Sequence, residues 1–287
     1  MTFKDFIFSY RTIVLFYFNK KKYFRALKKI TGYPYKFFLE KIRVYFKLNK
    51  INLDNYKNKD ILKNANLDEI LTHFNSDKAS TVIWSENKIN GHNYSKLYEK
   101  YFHKFRNKEK VKLLEIGSLA GSSAASFLNY FKNVEIVCLD VNPFQIKYFS
   151  KDIRKIYLDT RSNETLKQVA DYFDYEFDII IDDGSHNKKD QILTINKFLP
   201  KLKNKGIYVI EDTCEYLTHP QLNEDKLEYG INEYLASIHK TGKHYSSYLD
   251  DNERKNIKNQ INKIFFEKGN FIYNGESLFE IIFIEKV

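Results

Sequence analysis

The chain has 287 residues, a formal net charge of +10, 43% hydrophobic content and two cysteines. That length carries one large domain or a domain with an appendage. Cys138 and Cys214 alone argue against a disulfide framework or a cysteine-built zinc site, so the expectation is reduced thiols in the cytoplasm. The charge is uneven: residues 1–50 hold 13 Lys/Arg against 2 Asp/Glu, and the other 237 residues net −1. A near-neutral body does not read as a nucleic-acid binder with a basic channel.

Met1–Lys50 interleaves aromatics with bases, as in Phe16-Tyr17-Phe18, Lys20-Lys21-Lys22 and Phe37-Phe38. Its longest apolar run, Ile13–Phe18, is far short of the ~20 residues a membrane span needs. No small-residue cleavage site follows that run, which speaks against a signal peptide. Two readings stay open with equal weight. The segment is a helical cap packed on the main domain or a second subunit, or a peripheral anchor on an anionic membrane face.

Residues 51–110 are polar, with helices expected around Leu62–Phe74 and Tyr94–Phe105. They form a helical lead-in or lid before a domain spanning 111–287. From Val111 short apolar runs alternate with amphipathic stretches. Strands are expected at Val111–Ile116, Val134–Asp140, Lys155–Leu158, Phe177–Asp182 and Gly206–Glu211. Helices are expected near Ser122–Phe131, Phe144–Phe149, Asn163–Phe173 and Lys188–Leu202. That βαβα rhythm gives a doubly wound, mostly parallel α/β sheet. A helix near Asp225–His239 and a strand pair in Asn262–Val287, around the turn at Asn274-Gly275, close the chain. The polar stretch Thr213–Ile261 is long enough for a lid or an oligomer contact, with Tyr216 and His219 as positional candidates only.

Chemistry concentrates at the strand ends, where open α/β sheets bind ligands. The first strand runs into Glu115-Ile116-Gly117-Ser118-Leu119-Ala120-Gly121. Gly117 permits a tight turn and Gly121 close packing at the helix start. The second strand ends at Asp140, 23 residues after Gly117, a spacing that suits an acid accepting from ribose hydroxyls. Its competing role is an N-cap. The third ends at Asp159, where an N-cap role is nearly as well supported as a ligand-facing one. The fourth ends in Asp182-Asp183-Gly184-Ser185-His186 and the fifth in Glu211-Asp212. Neighbouring strands lie about 4.8 Å apart, so four acids gather there, and like charges that close need a cation or a proton. Capping helices or binding backbone amides accounts for some of them, not for four. His73, His103, His219, His239 and His244 lack such context and read as surface residues.

The pattern E-x-G-x-x-x-G from Glu115 resembles the first motif of class I S-adenosylmethionine-dependent methyltransferases. D-D-G-S-H with I-E-D resembles the magnesium-dependent sugar O-methyltransferases of macrolide glycosides, and the related cephalosporin-hydroxylase-like proteins. The likeness runs from about Asn75 to the C-terminus. Asp77-Lys78 and His92-Asn93-Tyr94 match further elements, although Ala79 stands where relatives often carry glycine. This resemblance implies a seven-stranded Rossmann-like methyltransferase sheet with an α-helical N-terminal extension. It implies S-adenosyl-L-methionine held by Glu115, Gly117, Ser118, Gly121, Asp140 and Asp159. It also implies Mg²⁺ or another divalent cation on Asp183, Glu211 and Asp212, with His186 as the general base assisted by Asp183. Asp182 goes with the cofactor-facing group and is the one acid whose task stays open. The acceptor implied is a sugar hydroxyl of a surface polysaccharide or glycosylated metabolite, worked on in the cytoplasm or at the inner membrane face by a homo-oligomer. A small phenol, a phosphoramidate-type group, or a scaffold that binds cofactor without turnover are the alternatives. Nucleic acid is not expected, because no N-P-P-Y-like motif is present.

Overall fold

A computed structural model describes every residue except 47–49, 57–61, 63, 85–86, 224–228 and 242–247. Two helices open the chain, α1 (Phe3–Asn19) and α2 (Tyr23–Tyr45). Then come α3 (Leu67–His73) and α4 (Ser95–Arg106). The alternating core follows: β1 (Val111–Ile116), α5 (Ser122–Tyr130), β2 (Val134–Asp140), β3 (Ile153–Tyr157), α6 (Asn163–Tyr172), β4 (Phe177–Asp182), α7 (Lys188–Phe198) and β5 (Leu202–Ile210). It closes with α8 (Ile231–Thr241), α9 (Asp251–Gln260), β6 (Ile261–Glu267) and β7 (Ile281–Lys286).

The strands form one seven-stranded sheet in the order β6-β7-β5-β4-β1-β2-β3. The pairs among β1–β5 are parallel, and β7 runs antiparallel between β5 and β6. The order reverses beside β1, which puts the switch-point crevice at the carboxyl ends of β1, β2 and β4. Side chains alternate between two apolar layers: Leu113, Ile136, Ile179 and Val209 pack with α3, α4 and α5, while Leu114, Val137, Ile180 and Tyr208 pack with α6, α7, α8 and α9. A strand buried on both faces needs apolar residues at every position, which is why these runs were legible. Both cysteines are buried and free.

Helix ends follow local chemistry. Reciprocal capping boxes, Asn66 with Glu69 and Asp250 with Glu253, start α3 and α9, each worth about 1 kcal/mol. The expected helix at Phe144–Phe149 is absent. Its backbone groups are taken instead: the buried Lys50 ammonium donates to Phe144 O (3.0 Å) and Ile146 O (2.5 Å), and Lys147 N donates to Ala120 O (2.9 Å). Tyr148 and Phe149 pair in parallel with Ile51 and Asn52. With no helix after Asp140, its N-cap alternative fails too. Ser162, not Asp159, caps α6. The helix expected at Asp225–His239 runs from Ile231 to Thr241, with 225–228, 63 and His244 outside the described residues. The Asn274-Gly275 turn forms the tip between β6 and β7.

The N-terminal segment does pack on the domain. Phe6, Ile13, Tyr33 and Phe37 join Tyr157 of β3 in a separate cluster along that sheet edge. Asp5 receives Arg154 at 2.7 Å, and buried Glu40 faces Lys155 at 3.2 Å and Lys50 at 3.6 Å. Among the described residues no helix is long and apolar enough to cross a membrane.

Candidate active site

The β1 loop is built by close backbone contact. Gly117 has φ of +87°, its N–H donates to Leu139 O at 2.8 Å, and a Cβ there would sit 1.8 Å from Asp183 O. Only glycine fits such a conformation and approach. Gly121, with φ of +83°, opens α5 against Ile146. A Gly117→Ala variant is expected to force β1 and the Asp183 turn apart. The left-handed backbone alone costs about 1–2 kcal/mol, before the clash. A melt should show the loss, and calorimetry with S-adenosylhomocysteine should show weaker binding.

Two cavities meet at this loop. One of 740 Å³ is lined by Gly117, Ser118, Asp140, Asp183, His186 and Asp212. The other, 280 Å³, is lined by Leu158, Asp159, Arg161 and Ser185 and shares Gly117, Asp140, Val141 and Gly184 with the first. Asp140 accepts from Leu119 N (2.9 Å) and Asn142 N (2.7 Å), and burial pushes its carboxyl above the usual range. Asp159 lines the smaller cavity, but Arg161 forks its carboxylate at 2.8 Å to each oxygen. Glu115 is buried beneath the loop, where Ser123 Oγ donates to one oxygen and Oε2 has no partner among the described residues. It supports the loop and does not line either cavity.

The four acids separate by sheet alternation. Asp182 ends β4 on the side of Ile180 and lines neither cavity, and burial pushes its pKa up to about 7. Asp183, one residue on, lines the larger cavity. Asp183, His186 and Asp212 converge, with donor atoms within 4.8 Å of one another. His186 Nε2 lies 3.8 Å from Asp183 Oδ1 and 3.9 Å from Asp212 Oδ2. His186 and Asp212 both hold a left-handed backbone, φ 54°, a strained geometry that concentrates at functional sites.

Glu211 turns elsewhere. Lys78 Nζ, buried, donates to Glu211 Oε2 at 2.8 Å and to Asp183 Oδ2, and the Tyr98 hydroxyl donates to Glu211 Oε1. Asp212 is held in turn by Tyr94 Oη (2.7 Å) and His92 Nδ1 (3.2 Å). His92, Asp212 and Glu280 make a second cluster of metal-capable groups. Lys78, Tyr94 and Tyr98 belong to the site although sequence reasoning assigned them no task. The D-K and H-x-Y elements were the available signal, and the four acids implied a missing cation.

Charge follows geometry. Burial would lower Lys78, but Asp183 and Glu211 hold it well above its ordinary value. Burial raises Asp183 to about 6 against the pull of Lys78. Burial would raise Asp212 too, yet the His92 hydrogen bond and charge hold it below the usual carboxylate range. Burial would lower His92, but Asp212 carries it to about 10. For His186 burial lowers the imidazole and the carboxylates of Asp183 and Asp212 override it, for a net rise.

Residues 114–213 match a family described as a methyltransferase domain. Over that stretch, about a third of the chain, the sequence is similar to methyltransferase domains. The chain is 32% identical over 134 residues to a tetracenomycin-C 3'-O-methyltransferase of Streptomyces olivaceus that acts on a 2-methoxy-rhamnosyl form, covering 42% of this chain and 32% of that one. It is 29% identical over 154 residues to the L-olivosyl-oleandolide 3-O-methyltransferase of Streptomyces antibioticus, covering 51% and 37%. The chain thus spans about a third of the length of the curated relatives it matches. The MycE methyltransferase of mycinamycin biosynthesis, solved with Mg, S-adenosylhomocysteine (SAH) and mycinamycin VI, superposes with a TM-score of 0.56 at 21% identity, covering 77% of this chain and 54% of that chain. That likeness shows the shared fold.

Proposed function

We propose that the methyltransferase domain moves a methyl group from S-adenosyl-L-methionine to a sugar hydroxyl of a glycosylated metabolite or surface glycan. The observation that carries this is the convergence of His186 with Asp183 and Asp212 on the wall of the cavity that Gly117, Ser118 and Asp140 also line. The two joined cavities fit an elongated ligand with the cofactor's parts. The larger suits the methionine end near the Gly117–Gly121 loop, Asp140 the ribose, and the smaller the base beside Asp159 and Arg161.

A hard cation fits Asp183 and Asp212, whose oxygens face one imidazole with donor atoms within 4.8 Å of one another. Bound there, it would acidify a sugar hydroxyl. Glu211 works one layer back, fixing Lys78. His186 takes the acceptor proton at Nε2 as the hydroxyl oxygen bonds to the methyl carbon, whose bond to the sulfonium sulfur breaks to leave S-adenosylhomocysteine. The loop after Gly117 holds donor and acceptor in line, the orientation on which the rate depends. We place the work at an anionic membrane surface, reached through the N-terminal helices, which hold 13 Lys/Arg against 2 Asp/Glu in residues 1–50. Curated relatives named for methylating rhamnosyl and olivosyl groups support a sugar acceptor.

The test is transfer of labelled methyl from S-adenosylmethionine to an extracted glycan or glycoside pool, with and without chelator. Label entering the sugar fraction, and falling on chelation, is the expected result. Calorimetry with no heat at millimolar S-adenosylhomocysteine would remove the cofactor from the reading.

A further inference from the structure

The helix α2 has two apolar faces, and the domain uses one. Ala26, Tyr33 and Phe37 are buried, Tyr33 and Phe37 in the cluster they share with α1 and Tyr157 of the sheet edge. Across the helix, Phe24, Leu27, Tyr35, Phe38, Ile42 and Tyr45 follow a spacing of three, eight, three, four and three residues. At 3.6 residues per turn these six share an arc of about 80°. All are 49–80% exposed. A stripe of six large apolar side chains along about 32 Å of helix is not scattered surface hydrophobicity, and such patches mark a contact. Arg25, Lys28, Lys36, Lys41 and Arg43 are exposed on the same helix. Its single acid, Glu40, is buried and held by Lys155 and Lys50.

We infer that this outward stripe of α2 is a docking surface for an anionic lipid bilayer, with the helix lying in the interface plane. Aromatic and aliphatic side chains enter the headgroup boundary while the flanking bases meet lipid phosphates. Charge decides the occupant. A second copy apposing α2 through the same stripe would set bases against bases, with no exposed acid on the helix to answer them. A nucleic acid would find the remaining 237 residues at net −1. The hairpin also reaches the carboxyl edge of the sheet, where Asn19 Nδ2 donates to Glu164 at 2.5 Å beside the start of α6. The inference gives a face and a ligand to the membrane location proposed above, and it stands apart from methyl transfer.

Flotation of the full-length protein tests it, using phosphatidylcholine vesicles with and without phosphatidylglycerol. Wild type should float only with the anionic vesicles and be released by salt. Phe24→Gln/Phe38→Gln/Tyr45→Gln should lose at least tenfold in partitioning. Lys28→Glu/Lys36→Glu should lose about fivefold or more per base. Melting and S-adenosylhomocysteine binding should remain those of wild type, since every changed residue is exposed. No flotation on anionic vesicles at low salt overturns the inference, as does equal flotation of the variants. Dimerisation abolished by the triple variant would assign the stripe to a second copy instead and also overturns it. Failed cofactor binding would count against the enzymatic reading and leave this result intact.

Discussion

Replacing His186 with asparagine is expected to cut turnover by about 10²–10⁴-fold while cofactor affinity stays unchanged. Asparagine is the right probe because His186 sits at φ 54°, which asparagine tolerates and alanine does not. It also cannot act as a base at neutral pH. The wild-type pH profile carries a second sign of the same role. The imidazole is raised above its ordinary value by Asp183 and Asp212, so the proton-accepting form appears only as pH rises through that raised pKa. Turnover should rise with pH on the alkaline side of 6.5, and the limb should vanish in the variant. A divalent cation neutralises the same carboxylates, so it should move the limb to lower pH. An unchanged rate in His186→Asn would clear the residue of the base role.

Much of the domain was legible because parallel strands announce themselves. The runs at Val111, Val134 and Phe177 are apolar at about two positions in three, and each strand ends where the sequence turns polar. The loop glycines were legible for the same local reason. What failed was whatever depended on distant partners. Phe144–Phe149 has a helical look, yet Lys50, nearly a hundred residues earlier, satisfies its carbonyls and competes with the helical pattern. The strand-end acids were read as one cluster, but the two-residue period of a strand sends Asp182 to the opposite face from Glu115 and Glu211. Lys78 comes from 105 residues before Asp183. No local pattern links them; only the electrostatic need for a cation does. Tyr98, spaced as an ordinary core residue of α4, hides its hydroxyl's task for the same reason.

Lys78→Met is expected to destabilise the domain by about 3–5 kcal/mol, the cost of leaving buried carboxylates without their partner. That is a large part of the roughly 5–15 kcal/mol that holds a domain folded. Lys78 carries the loss because it serves two acids at once and has no access to water. Its ammonium meets Glu211 at 2.8 Å and Asp183, and its carbonyl accepts from Tyr94 N and Ser95 N at the start of α4. The backbone contacts survive the substitution, so the measured change isolates the charge. Denaturant unfolding of the single variant, of Glu211→Gln, and of the double variant closes a mutant cycle. The double should recover much of the loss, because a neutral amide no longer needs the ammonium. It should not recover all of it, since Asp183 remains. Strictly additive losses would mean that Lys78 and Glu211 are not coupled, and the counter-ion role would fall. If the role holds, a divalent cation at Asp183 and Asp212 should also stabilise Lys78→Met more than wild type. The cation supplies charge that only the variant lacks, and a melt with and without Mg²⁺ measures the difference.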